Sequence, residues 1–158
     1  KVNMLTSELG FDHGINYKTT KDMKSAIHKV APNGVDIYFE NVGGEVTKTV
    51  APLLNARARV PICGYISNYN DEDITSSETP MHILKALDPE PENRFFVVTE
   101  WRDRWVEATR QLGSWVQDGR LKYRESIGVG LENAPEYFRG MLKGKNFGKQ
   151  LIKVADED

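Results

Sequence analysis

The Asn41-Val42-Gly43-Gly44 turn and Tyr69 hold the residue types in this chain best suited to chemistry. Each lies where an apolar run gives way to polar residues. "VDIYFEN" (35–41) stops at Glu40-Asn41, passes two glycines and becomes a helix-like pattern, while "ARARVPICGYI" (56–66) runs into "SNYN" (67–70). An Asn amide both donates and accepts, a phenol in a polar loop donates at neutral pH, and paired glycines let a backbone approach a ligand closely. The plainer reading is glycines that make a strand–helix turn and a surface tyrosine.

Other chemistries find little support. Cys63, His13, His28 and His82 are scattered, without the short-range spacings of a zinc site. Cys63 ends an apolar run, where packing is the commoner role. There is no G-x-S-x-G elbow, and neither G-x-G-x-x-G nor G-x-x-x-x-G-K-[ST] occurs.

The elements that must position these residues follow from periodicity. Val2, Leu5 and Leu9 predict a helix from the first residues to Gly10, and "HGINY" (13–17) predicts a short strand. Thr20 can cap a helix carrying Met23, Ile27 and Val30, closed by Pro32-Asn33-Gly34. "VDIYFEN" predicts a strand. Val46, Val50 and Leu53/Leu54 mark a helix that Pro52 cuts short. "ARARVPICGYI" predicts a strand, with Pro61 counting against a central place in a sheet. "MHILKAL" (81–87) predicts a helix and "RFFVVT" (94–99) a strand. Trp101, Trp105, Ala108, Leu112 and Val116 mark a helix closed by Gly119, with Trp115 beside the stripe and core packing as the expected role of these tryptophans. "KYRESI" (122–127), residues 133–142 and "FGKQLIKV" (147–154) predict strand, helix and strand.

Alternation of helix and strand up to about residue 119 implies an α/β fold with a parallel, doubly wound sheet, whose ligands lie outside the carboxyl ends of the strands. The change of rhythm places a boundary near 119–122. A length of 158 residues suits an ordinary core, and 39% hydrophobic with 28% charged residues describes a globular chain. Net charge is −2 with signs interspersed, which gives no indication of a nucleic-acid or anionic-membrane surface. No apolar run approaches a membrane span, and the first ten residues lack a signal-peptide core. A single cysteine fits a reducing cytoplasm.

The blocks "LGFDHGINYK", "DIYFENVGGEV", "ICGYISNYN", "FFVVTEW" and "LENAPEYFRGMLKGKNFGK" resemble, in order and over nearly the whole chain, zinc-independent medium-chain dehydrogenase/reductases. The nearest subgroup is the NADPH-dependent alkenal/enone reductases, of prostaglandin reductase and curcumin reductase type. The resemblance implies a C-terminal fragment. Residues 1–120 correspond to the later part of a Rossmann cofactor domain whose first strand–helix unit and glycine-rich loop lie upstream. Residues 121–158 correspond to a strand–helix–strand segment that returns to a GroES-like substrate domain.

It also implies roles. Lys1 and Tyr17 match residues that meet the adenosine 2′-phosphate, which favours NADP(H) over NAD(H). Asn41 matches a cofactor-contacting Asn. Cys63, Gly64, Tyr65, Ile66, Ser67, Asn68 and Tyr69 match the loop beside the nicotinamide half, Phe96, Val97 and Val98 the nearby strand end, and Asn146 an Asn that reaches back to the cofactor. Tyr69 matches the tyrosine that steadies or protonates the enolate formed when an enone receives a hydride at its β-carbon. A donor aimed at that oxygen lowers the barrier. The implied substrate is a small-molecule enone, in a cytoplasmic homodimer paired through strand 94–99. Two alternatives stand beside this reading: a quinone reductase-like oxidoreductase, and a non-catalytic truncated interaction module.

Overall fold

A computed structural model describes residues 1–71 and 76–155 in two compact units. One comprises residues 15–105; the other joins residues 1–14 to 106–158.

In the 15–105 unit the elements run α2 (Met23–Val30), β1 (Val35–Ile37), α3 (Gly44–Val50), β2 (Leu54–Ile62), α4 (Pro80–Lys85) and β3 (Glu92–Phe95), after α1 (Val2–Ser7) in the other unit. The three strands form one parallel sheet in the order β1-β2-β3. Ala58, Val60 and Ile62 alternate along β2 onto one buried face, where Val60 and Ile62 meet Ala51 and Leu84. Fully burying Ile62 and Leu84 contributes about 1.5–3 kcal/mol each. Pro52 shortens α3 as expected, and a 3₁₀ turn over Ala51–Leu53 follows.

Pro61 corrects an expectation, because it lies in the central strand. Tyr38 N–H donates to the Arg59 carbonyl, Glu40 N–H to the Pro61 carbonyl, and Cys63 N–H to the Glu40 carbonyl. The donor missing from this ladder is the one Pro61 lacks, opposite Tyr38. The strand pairing of β1 accordingly lapses after Ile37 and resumes at an isolated Glu40–Ile62 bridge. Only one flank of β2 is affected, so the proline removes one bond rather than the strand.

Three further expectations change for local reasons. Residues 13–17 form no strand, because the Asn16 carbonyl accepts from Thr19 and Thr20 and its side chain accepts from Lys18 N–H, which folds the segment into turns. Asp22 rather than Thr20 caps α2. It accepts from the Ser25 amide at 2.9 Å and the Ser25 hydroxyl at 2.6 Å, and the hydroxyl bond leads in holding its carboxyl below the usual range. The strand expected over 94–99 spans Glu92–Phe95. A 3₁₀ helix takes over at Val98–Arg104, where Glu100 accepts from Val97 N–H at 2.9 Å and pairs with Arg94.

The other unit holds α1, most of α5 (Trp105–Gln117), β4 (Glu125–Val129), α6 (Ala134–Leu142) and β5 (Lys149–Lys153). β4 and β5 pair in parallel through five residue pairs, with β4 starting three residues later than expected. Helix α5 forms at the expected spacing and Gly119 (φ 70°) follows it, but it buries no residue. Trp105 stays 45% exposed, Leu112 47% and Val116 37%, which corrects the expectation of core packing. Spacing made the helix amphipathic; among the described residues the stripe stays only partly covered.

Candidate functional site

The two strand-end segments singled out by composition lie side by side. Cys63 and Gly64 both donate their amides to the Glu40 carbonyl, Ile66 donates to the Asn41 carbonyl, and Ser67 donates to the Val42 carbonyl at 2.9 Å. Residues 40–42 accept and residues 63–67 donate throughout. The contact is close enough that Gly43 has no room for a side chain. Its φ is 80°, and a β-carbon there would stand within 3 Å of Asn68, Ser67 and Tyr65.

Beneath the first loop lies a residue that composition did not single out. Glu40 is completely buried, and its carboxylate accepts from four donors. Oε1 takes the Val42 amide at 2.6 Å and the Gly43 amide at 3.0 Å; Oε2 takes the Tyr38 hydroxyl at 2.6 Å and the Thr47 hydroxyl. Burial opposes the charge, but the Thr47, Tyr38, Gly43 and Val42 bonds outweigh it and hold the carboxyl below its ordinary value. Tyr38 moves the other way, because burial and then the carboxylate beside it raise its phenol above the usual range. Every donor lies within seven residues of Glu40 in sequence, so a signal existed: an acidic residue ending an apolar strand, flanked by Tyr, Gly and Thr.

Aromatic rings stand near these loops in two separate groups. The Tyr65 ring meets Tyr69 at 6.4 Å and Phe95 at 6.0 Å between centroids, and Phe96 meets Phe39 at 6.1 Å and Trp101 at 5.6 Å. Tyr69 is 64% exposed, while Asn68 is buried and donates to Asp71 at 2.9 Å. Asn41, Cys63, Ile66, Val97 and Val98 are exposed. The structure thus joins Asn41 to residues 63–69, with Phe95 of the adjoining strand packed on Tyr65. Tyr17 belongs to the same unit, exposed, with the Lys18 ammonium 5.9 Å from its ring centroid.

Lys1 and Asn146 belong to the other unit and lie close together there. The Lys1 ammonium donates to the Gly144 carbonyl and sits 5.1 Å above the Phe147 ring, and Asn146 donates to the Gly148 carbonyl at 2.7 Å. Among the described residues, no three His, Cys, Asp or Glu side chains gather as a metal would need.

A parallel α/β sheet with polar, glycine-bearing loops at its strand ends defines a Rossmann-type fold. A family model described as zinc-binding dehydrogenase matches residues 1–88, and the chain belongs to that family. It is 44% identical to YfmJ of Bacillus subtilis over 156 residues, 99% of this chain and 46% of that one. It is 41% identical to the NADPH-dependent curcumin reductase of Escherichia coli over 161 residues, covering all of this chain and 46% of that protein. Among solved structures, CurA from Vibrio vulnificus in complex with NADPH superimposes with a TM-score of 0.86 at 38% identity, over 99% of this chain and 47% of that one. The chain therefore spans about half the length of these proteins.

Proposed function

We propose that this chain supplies the cofactor-holding part of an NADPH-dependent oxidoreductase that reduces the carbon–carbon double bond of α,β-unsaturated ketones and aldehydes. The observation that carries the reading is the likeness, across 99% of the chain, to a protein solved with NADPH. The 41% identity to a curcumin reductase supports the substrate class. The residues fit such a cofactor in kind. A side-chain-free Gly43-Gly44 turn allows close approach, Asn41 offers an exposed amide, and the aromatic rings near the loops suit a flat ring.

On this reading residues 1–120 serve the cofactor domain and 121–158 return to a substrate domain. In the 15–105 unit Tyr17 is assigned to the 2′-phosphate, and Asn41 and residues 63–69 to the nicotinamide half with Phe96, Val97 and Val98; in the other unit the resemblance assigns Lys1 to the 2′-phosphate and Asn146 to the cofactor. Bound NADPH supplies the hydride for the β-carbon of the enone. The Tyr69 hydroxyl donates to the carbonyl oxygen as negative charge gathers there, and a proton added at the α-carbon discharges the enolate and completes the reduction. No metal is needed, because that hydroxyl is the polarising group. A homodimer paired through the β3 edge and a cytoplasmic location complete the proposal; β3 is an edge strand, and among the described residues no helix is long and apolar enough to cross a membrane.

The test is loss of NADPH absorbance in the presence of an enone, measured on the full-length protein that carries this chain. Turnover of the enone in preference to a quinone is expected. Preference for the quinone, or no oxidation with either, overturns the reading.

A further inference from the structure

We propose that Glu40 is a positioning residue for the cofactor: it claims the Val42 and Gly43 amides of the 41–44 turn, making the turn a poor seat for phosphate and presenting it to the uncharged nicotinamide–ribose end of NADPH. The inference rests on the cofactor reading above. A glycine turn leading into a helix ordinarily offers its amides to an anion. Here the Val42 and Gly43 amides both point inward to Oε1 of Glu40. The carboxylate is wholly buried, so releasing both amides strips a buried charge of two of its four donors. A phosphate brought to this turn meets a fixed negative charge beneath it instead of free donors.

NADPH carries phosphate at its centre and on the adenosine ribose. Both riboses are esterified to that central pyrophosphate, and only the adenosine ribose bears a further phosphate; the nicotinamide ribose keeps its 2′ and 3′ hydroxyls free, so the turn's chemistry selects that end. Glu40 also reaches the second loop. Its carbonyl accepts the Cys63 and Gly64 amides, so one residue fixes Asn41 on one side and the 63–69 segment on the other. Tyr38 and Thr47 hold Oε2 from the far side and set the carboxylate's orientation.

The experiment compares two ligands on the full-length protein: NADPH, and adenosine 2′,5′-bisphosphate, which carries the adenosine phosphates but no nicotinamide. Dissociation constants come from tryptophan fluorescence, alongside kcat and KM. Glu40→Ala is expected to weaken NADPH about tenfold and to leave the bisphosphate within about twofold. Glu40→Gln keeps an acceptor for both amides and a donor for Tyr38 and Thr47, and recovers most of the loss. If Glu40→Ala does not fold, Tyr38→Phe and Thr47→Val each remove one partner and carry the same asymmetry at smaller scale. Equal weakening of both ligands marks general destabilisation and overturns the proposal, as does unchanged NADPH affinity in every variant. A wild-type protein that binds neither ligand overturns the cofactor reading itself, which the unmutated control shows separately.

Discussion

The hydroxyl of Tyr69 sits 3.2 Å from the point where a β-carbon on Gly64 would stand. Gly64 does not need a left-handed backbone, so alanine is conformationally permitted there. The added methyl crowds the far end of the exposed Tyr69 side chain, moving it by a few tenths of an ångström, and meets the Asn41 carbonyl at an ordinary 3.9 Å. Gly64→Ala in the full-length protein is therefore expected to lower enone turnover about threefold to tenfold, through misplaced geometry, with stability within about 0.5 kcal/mol of wild type. Steady-state kinetics beside a thermal melt check this, and an unchanged kcat counts against the role given to Tyr69.

Tyr69→Phe removes the donor and keeps the ring. The side chain is 64% exposed and packs edge-on against Tyr65, so the fold is not at stake. Loss of one donor to a developing oxyanion lowers kcat about 100-fold, while NADPH affinity stays unchanged. A variant as fast as wild type shows that the proton and the polarisation come from elsewhere.

Two glycine-to-alanine changes are expected to act with opposite sign. At Gly43, φ is 80° and the new carbon would meet three neighbours inside 3 Å, so stability falls by about 1–3 kcal/mol. At Gly113, within α5, nothing lies within 4 Å, and alanine raises stability by about 0.5–1 kcal/mol through helix propensity. Urea denaturation of both variants measures the contrast, and a Gly43→Ala protein as stable as wild type refutes the packing of the two loops.

Acid stability follows from Glu40. Its folded carboxyl titrates below its ordinary value of 4.5, so the stability it contributes is present above about pH 4.5 and is lost as pH falls through the depressed value. Tyr38 gives the opposite limb: its phenol is raised above an ordinary 10.0, so its contribution is present below about pH 10 and is lost as pH rises through the raised value. Denaturation midpoints across pH should show the acid limb flattened in Glu40→Gln and the alkaline limb flattened in Tyr38→Phe. Parallel pH curves for wild type and Glu40→Gln argue against an ionised Glu40.

Much of this fold was legible because its determinants are local. Val50 packs as the helical spacing required, Pro52 ends α3 where a missing amide must, and the parallel pairing follows from alternating elements. Three of the misreadings share a physical origin in competition between bonds. Asn16 drew its neighbours into turns, Asp22 outbid Thr20 for the helix start, and Glu100 turned the end of β3 into a 3₁₀ helix. The site was half legible. Asn41, Gly43 and Tyr69 stood out by residue type at strand ends, and the structure joins their loops. Glu40 did not stand out, because a glutamate at the end of a strand reads as a solvated residue until its four donors are seen to converge. The Trp105–Val116 stripe was read from spacing alone, and spacing specifies an apolar face without specifying what covers it.

All four amides that tie residues 63–67 to residues 40–42 point the same way, and the first loop's own amides point down to Glu40. Neither loop can swing outward without breaking several of these bonds together. A molecule settling on this rim finds it already assembled, so little chain entropy remains to be lost on association. Its binding should register as a single fast phase, with the heat signal dominated by contacts made rather than by loops put in order.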